Sequence, residues 1–555
     1  MSVGELQPKL IAADDGQPAT DLTIKEMLQE KMLELNLPRQ FNAAEYFVDR
    51  NVAEGRGDKT AILFEDQAVT YARLLENVNR VANVLTELGV GLEDRVMLLV
   101  RDTPEMLYSF YGAIKAGAVA IPTNILMKAP DFLYMLNDSR APVLIVDPVF
   151  LPEIEKILDQ AVFLKKVVVC GDQDHHHLSF NELLEKAATD FTAAATTCDD
   201  AAFWLYSGRN PEKLMGAVHH HSHMVYCAEA YARGILDMSA DDRAMGSFLF
   251  FAYGLGNGAY FPFAVGATTI LIDHAPKPEL FYEDLIKYRP TIFFTVPTLL
   301  GALADYKKSC GQDGVNLPPV EDLRACVSSA EILSPEIYKR FKKEFGVEIL
   351  EGTGSTEICH IFLSNRFGEV RPGSTGKPVP GYAMRLLDDD GSPVGPNQIG
   401  NLQVSGGSIA SVYWNQREET RRNMLGEWFV TGDRYLVDED GFYYFRGRSD
   451  DMLRVGGKWL APQEVEHTIN QHEAVVESAV VGYQDKDDLF KPYAFIVLNE
   501  EASPSDSLKE DIKEFVRDRI AAYKYPRWIE FKDSIPKTSG GKIQRFVLQE
   551  RIQGK

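Results

Sequence analysis

Apolar and polar residues along the chain follow two periods, one suited to helices and one to short buried strands. Residues 44–53 read as a helix, 60–65 as a strand, and a second helix begins at Tyr71, where Leu74, Val78, Val81, Val84 and Leu85 recur on one packed face. The runs 95–99, 118–122, 142–146 and 166–170 predict strands, with helices over 106–116 and 153–160 between them. Residues 172–177 form a polar connection; His175, His176 and His177 stand there in succession, and neighbours on a loop do not converge on a metal. Further strands are predicted at 267–272, 291–294 and 325–327. Helices between short apolar strands define an α/β protein with mostly parallel sheets.

Beyond these blocks the pattern changes. Val404, Ser405, Gly406 and Gly407, followed by Tyr413 and Trp414, suit the turns of a smaller β-rich layer. The strongest candidate linker lies at 447–451, and 462–470, 475–481, 492–498, 508–522 and 529–531 then form a compact helix-and-strand series. The expected organisation is a large domain over 1–449 and an α+β C-terminal domain over 450–555, the latter of about 100 residues, large enough to fold by itself. A chain of 555 residues is too long for one core, and no fixed-period repeat is evident.

Composition acts mainly by exclusion. With 45% apolar and 25% charged residues the chain reads as a folded globular enzyme. Its 58 Lys and Arg against 81 Asp and Glu give a net charge of -23, which argues against a nucleic-acid partner while leaving room for local basic loops. The opening residues lack a basic start followed by an apolar run, and no later segment offers the roughly 20 apolar residues of a membrane span, so a cytoplasmic protein without a membrane anchor is expected. Cys170, Cys198, Cys227, Cys310, Cys326 and Cys359 are too scattered for a metal cluster and read as free thiols.

Several segments carry candidate chemistry. The stretch from Ser207 and Gly208 through Arg209 and Lys213 to Met215 and Gly216 follows an apolar strand; it is either a surface loop or a phosphate loop whose amides and cations face an anion. Ser329, Ala330 and Glu331 mark either a helix start or a small-residue edge that a flat base approaches, with Glu331 orienting a neighbouring loop. Glu351, Gly352, Thr353, Gly354, Ser355, Thr356 and Glu357 combine loosened sterics, hydroxyls and a carboxylate that suits magnesium, or else cap a helix. Asp433, closing a turn after Trp428 and Phe429, has the acceptors for two ribose hydroxyls. The aromatic, glycine-rich run 250–257 is either a packed strand end or an acid pocket. Lys542, in a turn-rich basic segment, reads either as a helix cap or as a cation for carboxylate and phosphate.

These segments together resemble the adenylate-forming acyl-CoA synthetases, and from Phe41 onward the chain is most similar to the benzoate-CoA ligases among them, through 250–257 and 355–365. The resemblance implies a large adenylate-forming domain and a small mobile C-terminal domain. It implies catalytic roles for Lys542, Thr356 and Glu357, with Thr356 on nucleotide phosphate and Glu357 on magnesium. ATP would further be held by Ser207, Gly208, Arg209, Lys213, Ser329, Ala330, Glu331, Glu351, Gly352, Thr353, Gly354, Ser355, Asp433 and Arg448. The acid pocket would comprise Phe251, Ala252, Tyr253, Gly254, His360 and Ile361, with His360 donating to the carboxylate. Asp450 would be the hinge, and Gly456, Gly457 and Lys524 would meet CoA.

The phosphate loop departs from the family pattern, because Met215 stands where the Pro-Lys-Gly ending has its lysine. Lys213 or Arg209 would have to supply the missing charge. The implied reaction is ATP-dependent activation of an aromatic acid, benzoate first, to an acyl-adenylate and then to its CoA thioester, with ATP, Mg2+ and CoA required. The alternatives are a ligase for another compact cyclic or aryl acid, and an adenylation-impaired regulatory paralogue that binds carboxylate and nucleotide. A homodimer is compatible with the sequence.

Overall fold

The computed structural model describes residues 34–171, 176–208, 214–246, 248–331, 333–449, 453–455, 458–484, 490–520, 524–537 and 543–553. The chain changes compact unit after Met384, returns at Val404 and changes again after Phe429.

Two sheets form the larger unit. The first has seven strands in the order Leu178–Ser179, Lys166–Val169, Val143–Val146, Arg95–Leu99, Val119–Pro122, Ala201–Ser207 and Met215–His220. All its neighbours run parallel except the last pair. The second has nine strands, and its centre runs parallel from Thr60–Phe64 through Thr268–Leu271, Arg243–Gly246, Ile292–Thr295 and Ala325–Ser328 to Ile349–Gly354. Its outer strands are antiparallel: Gln67–Thr70 at one edge, and Ile361–Ser364 followed by Lys377–Pro378 at the other. The α/β class with largely parallel sheets is therefore the observed one.

The predicted helix face is the packed one. In Tyr71–Glu87 the residues Leu74, Val78, Val81, Val84 and Leu85 are all buried, and Thr70 Oγ1 caps the start by accepting the Arg73 N–H at 3.2 Å. Helices Pro278–Tyr288, Pro297–Gln312 and Pro335–Phe345, each with proline in its first turn, cover the nine-stranded sheet. Phe281, Leu285, Leu300, Leu303 and Phe341 bury themselves there against Met245, Ile270, Phe293 and Ile349. Full burial of each such side chain contributes about 1.5–3 kcal/mol.

Four expectations need correction. The helix expected at 44–53 contains two wider π-helical stretches, Glu45–Asp49 and Val52–Arg56; Asn51 Nδ2 donates to Phe47 O at 2.7 Å, competing for a carbonyl of the regular ladder. The helix expected at 153–160 breaks into Leu151–Glu155 and the 3-10 turn Leu158–Gln160, because Ile157 takes φ -126° and turns its side chain inward. Residues 329–331 start no helix: the next one begins at Pro335, capped by Ser334. Asp433 closes no turn, since it lies inside the ten-residue strand Trp428–Val437, where Gly432 takes φ 71°.

The smaller unit is α+β. Its strands Val475–Gln484 and Phe490–Leu498 pair antiparallel, and Trp528–Phe531 adds in parallel. Alternation along the first strand gives this sheet two apolar faces. Val480, Ala494 and Ile496 meet Val465, Ile469, Ile512 and Val516 of helices Pro462–Ile469 and Asp506–Arg517. Ala479, Val481 and Phe495 meet Leu548 and Ile552 of the last helix, Arg545–Gln553.

Candidate active site

Parallel strands deliver their carboxyl ends to one edge of a sheet, where open α/β proteins bind ligands. In the larger unit Ser207 and Gly208 end the strand Ala201–Ser207, and residues 251–254 follow Arg243–Gly246. Residues 329–331 follow Ala325–Ser328, and 351–357 close Ile349–Gly354. Just past Arg95–Leu99 of the seven-stranded sheet, the Arg101 guanidinium donates to Asp147 at 2.8 Å and to Asp273 at 2.5 Å. These two carboxylates follow strands of different sheets, so one cation ties both strand-end edges.

At the phosphate-loop position, Ser207 pairs with Met215 across the base of the loop. Arg209 and Lys213 lie outside the described residues. Half-buried Met215 packs against Ala217, Ala410 and Tyr413. Tyr413 in turn donates its hydroxyl to Glu357 Oε1 at 2.9 Å, while the Ala410 N–H donates to Glu357 O at 2.7 Å. His219, two residues past Ala217 on the return strand, meets Thr356 O through Nε2 at 2.8 Å. Burial drives the His219 pKa down to about 4, so the neutral ring carries its proton on Nε2, facing that carbonyl. Tyr413 and His219 thus join the loop base to the Thr356–Glu357 turn. Neither was expected in this role: Tyr413 read only as part of a β layer, and a tyrosine or histidine distant in sequence carries no signal of such a contact.

The segments expected to hold adenosine differ among themselves. Ser329 is buried, whereas Ala330 is exposed in the left-handed region at φ 72°. Glu331 accepts a hydrogen bond from Thr298 Oγ1 at 2.9 Å. Glu351 points into the core, where Oε1 accepts the Leu333 N–H at 3.1 Å and burial pushes its pKa up to about 8. Gly354 leaves space for a strand rather than freedom for the backbone: a Cβ there would stand 2.6 Å from His360 O on the antiparallel neighbour. Ser355 precedes the short turn Thr356–Ile358, and its Oγ is buried without a partner among the described residues. Thr353 lies beside it on the strand Ile349–Gly354, which also carries Gly352.

Of the residues expected to form an acid pocket, Tyr253 and His360 come together. Tyr253 anchors its hydroxyl on Val327 O at 2.9 Å and Thr295 O at 3.3 Å, beneath the ends of two parallel strands. His360 Nε2 lies 3.2 Å from Tyr253 O and 3.1 Å from Asn257 Oδ1; both partners are acceptors, so Nε2 bears the proton. The ring packs edge-on against Phe261 at 4.4 Å between centroids, with Tyr253 at 5.6 Å. Burial holds its pKa down to about 3, and Nδ1 has no partner among the described residues. The expected donation from His360 to an acid therefore meets a ring whose one proton is already engaged. Ala252 and Ile361 are buried, Gly254 lies in the same short helix as Tyr253, and the Phe251 ring stands 4.6 Å from that of Phe250.

In the smaller unit Asp433 and Arg448 face each other on paired strands, with Arg448 Nη1 donating to Asp433 Oδ1 at 2.6 Å. Lys524 donates to Glu464 Oε2 at 2.6 Å, so its charge is locally balanced. Lys537 and Ile543 bridge one another and the Gln544 N–H donates to Pro536 O at 2.9 Å, closing the base of the segment that bears Lys542. Lys542, Asp450, Gly456 and Gly457 lie outside the described residues.

Among the described residues no group of three or more His, Cys, Asp and Glu forms a cation cage, and no helix is long and apolar enough to cross a membrane. Glu357 offers one buried carboxylate with Oε1 steadied by Tyr413. That donor set fits a magnesium ion held mainly by substrate phosphates and does not suit a self-sufficient metal centre.

Comparison with known proteins places this geometry. Residues 49–414 match the AMP-binding enzyme family and residues 464–542 the AMP-binding enzyme C-terminal domain. A benzoate--CoA ligase of Thauera aromatica is 44% identical over 518 residues, covering 93% of this chain and 97% of that protein. The crystal structure of an anthranilate CoA ligase in complex with anthranoyl-AMP superposes with a TM-score of 0.86 at 39% identity, over 93% of this chain and 98% of that one. A benzoate CoA ligase from Burkholderia xenovorans LB400 gives 0.82 at 42% identity, over 92% and 99%. The chain belongs to the AMP-binding enzyme family, within the adenylate-forming acyl-CoA synthetases, as a relative of the benzoate-CoA ligases.

Proposed function

We propose that the protein is an ATP-dependent aromatic acid-CoA ligase with benzoate as its preferred acid. The observation that carries this reading is the aromatic cluster of Tyr253, His360 and Phe261 at the strand ends of the sheet that also bears the Thr353–Glu357 segment. Aromatic side chains beside a hydroxyl-rich turn suit a flat ring with its carboxylate directed toward nucleotide. The similarity to proteins named benzoate--CoA ligase and anthranilate CoA ligase supports the same acid class.

In the first step the acid carboxylate attacks the α-phosphorus of ATP and pyrophosphate leaves. Ser207, Gly208, Arg209, Lys213, Ser329 to Glu331 and Gly352 to Thr356 would hold the nucleotide, with Asp433 and Arg448 on its ribose side. Lys542 would stabilise carboxylate and phosphoryl charge together. Magnesium, near Glu357, would neutralise phosphate charge. In the second step the CoA thiolate attacks the acyl-adenylate carbonyl and AMP leaves. A functional division at 449/450, with Asp450 as hinge and Gly456, Gly457 and Lys524 toward CoA, would let one centre serve both steps. A cytoplasmic location suits these soluble substrates.

A second reading is favoured by Met215, which packs with Tyr413 at the position where the resemblance expects a phosphate-binding lysine. It takes the protein as a carboxylate- and nucleotide-binding regulator that adenylates poorly. A panel of benzoate, substituted benzoates and compact cyclic acids with ATP, magnesium and CoA, scored for both AMP and CoA thioester, separates the two. Thioester from benzoate supports the ligase; binding of benzoate and nucleotide without either product supports the regulator.

A further inference from the structure

Asp102 follows the strand Arg95–Leu99 and is buried, yet no step described above uses it. One carboxylate oxygen accepts the Phe248 N–H and the other accepts the Leu249 N–H, the latter at 3.0 Å. Phe248 stands in the left-handed region at φ 67°, a conformation that a bulky side chain holds only when its surroundings impose it. Leu249 is buried, and the Phe251 N–H returns to Phe248 O at 2.9 Å, closing the turn that leads into the acid-pocket helix Ala252–Leu255. The rings of Phe248 and Phe250 lie 5.5 Å apart, and those of Phe250 and Phe251 4.6 Å apart. Anchored at the end of a central strand, Asp102 is therefore the rigid partner of a strained turn that sets an aromatic wall.

We propose that Asp102 is a positioning residue for the acid pocket, holding the Phe248–Leu249 turn so that the Phe250 and Phe251 rings meet the aryl group. The inference rests on the ligase reading. Two N–H donors aimed at two oxygens of one side chain explain why a carboxylate is used: an amide presents one acceptor and turns its own donor toward the other N–H. Burial, the larger influence on Asp102, raises its pKa to about 7, while the two backbone N–H groups pull it down. The adjacent Arg101 serves Asp147 and Asp273 instead, which separates the sheet clamp from the turn clamp.

The test is Asp102→Asn in the full-length protein. The expected result is a KM for benzoate raised about tenfold with KM for ATP within about twofold, since a small misplacement of a positioning group acts on the ligand it positions. Amide exchange at 248–251 should quicken in the same variant. Phe248→Gly in the Asp102→Asn background removes the need to force a positive φ and should return exchange at 249–251 toward that of Phe248→Gly alone. A folded Asp102→Asn protein with wild-type KM for benzoate and wild-type exchange at 248–251 overturns the proposal. So does an Asp102→Asn protein that fails to fold and is not rescued by Phe248→Gly, whereas rescue supports the turn-clamp role. Wild-type protein that takes no aromatic acid would defeat the ligase reading itself, an outcome distinct from equal benzoate KM values in both proteins.

Discussion

Glu351 is governed by burial. Its folded pKa of about 8 lies above the ordinary glutamate value of 4.5, so between those two pH values the folded state keeps a proton that the unfolded state has lost. Stability from this group is present below about pH 4.5, falls as pH rises to about 8 and is level above that, by at most ~1.4 kcal/mol per pH unit. Glu351→Gln keeps the acceptor for Leu333 and removes the charge. Its unfolding midpoint should exceed that of the wild type by a margin that widens from pH 5 to pH 8, read by chemical denaturation at each pH; a constant margin would contradict the assignment. Met215 poses the opposite case, an apolar residue where charge is expected. Met215→Lys keeps an aliphatic stem for the Tyr413 contact and adds an ammonium group at the loop base. If the ligase reading holds, benzoate-dependent pyrophosphate exchange should show a KM for ATP lowered about tenfold, the scale of one charge-assisted phosphate contact. An unchanged or higher KM would mean that Met215 does not stand in the lysine's place.

At the scale of elements, the sequence was most informative where burial and period agree. Leu74, Val78, Val81, Val84 and Leu85 define their helix face by spacing alone, and the runs around 95–99 and 143–146 are strands because both faces of a parallel sheet are covered. It was least informative where partners come from far along the chain. Nothing local shows that Asp433 sits mid-strand opposite Arg448, that Ile361–Ser364 runs antiparallel beside Ile349–Gly354, or that Tyr413 and His219 reach Glu357 and Thr356. The same limit explains Gly354, which read as flexibility for a ligand and instead admits a neighbouring strand. Gly354→Ala should cost about 1–3 kcal/mol through overpacking against His360 O. Gly311→Ala is the matched control: it lies in the helix Pro297–Gln312 with nothing within 4 Å of its added Cβ, and should gain up to about 1 kcal/mol from helix propensity. Thermal midpoints of the two variants moving in the same direction would refute this account of the strand contact.

For the molecule as a whole, the proposed reaction makes two different electrostatic demands. Joining a carboxylate to the α-phosphorus gathers negative charge from both reactants, on a chain whose net charge is already -23. Attack of a thiolate on an acyl-adenylate meets an activated carbonyl and releases AMP, so a cation at the carboxylate is needed far less. The Lys537–Ile543 bridge and the helix Arg545–Gln553, packed on Ala479, Val481 and Phe495, flank position 542 in the sequence. Lys542→Ala should therefore lower benzoyl-adenylate formation by about 100-fold or more, the scale of removing one charge-stabilising group, while changing thioester formation from supplied benzoyl-AMP by less than about threefold. Pyrophosphate exchange reads the first half-reaction and CoA-thioester release from benzoyl-AMP the second. Equal losses in both, in a variant whose unfolding profile matches the wild type, would place Lys542 in a step common to the two reactions and remove the basis for assigning adenylation to the C-terminal domain.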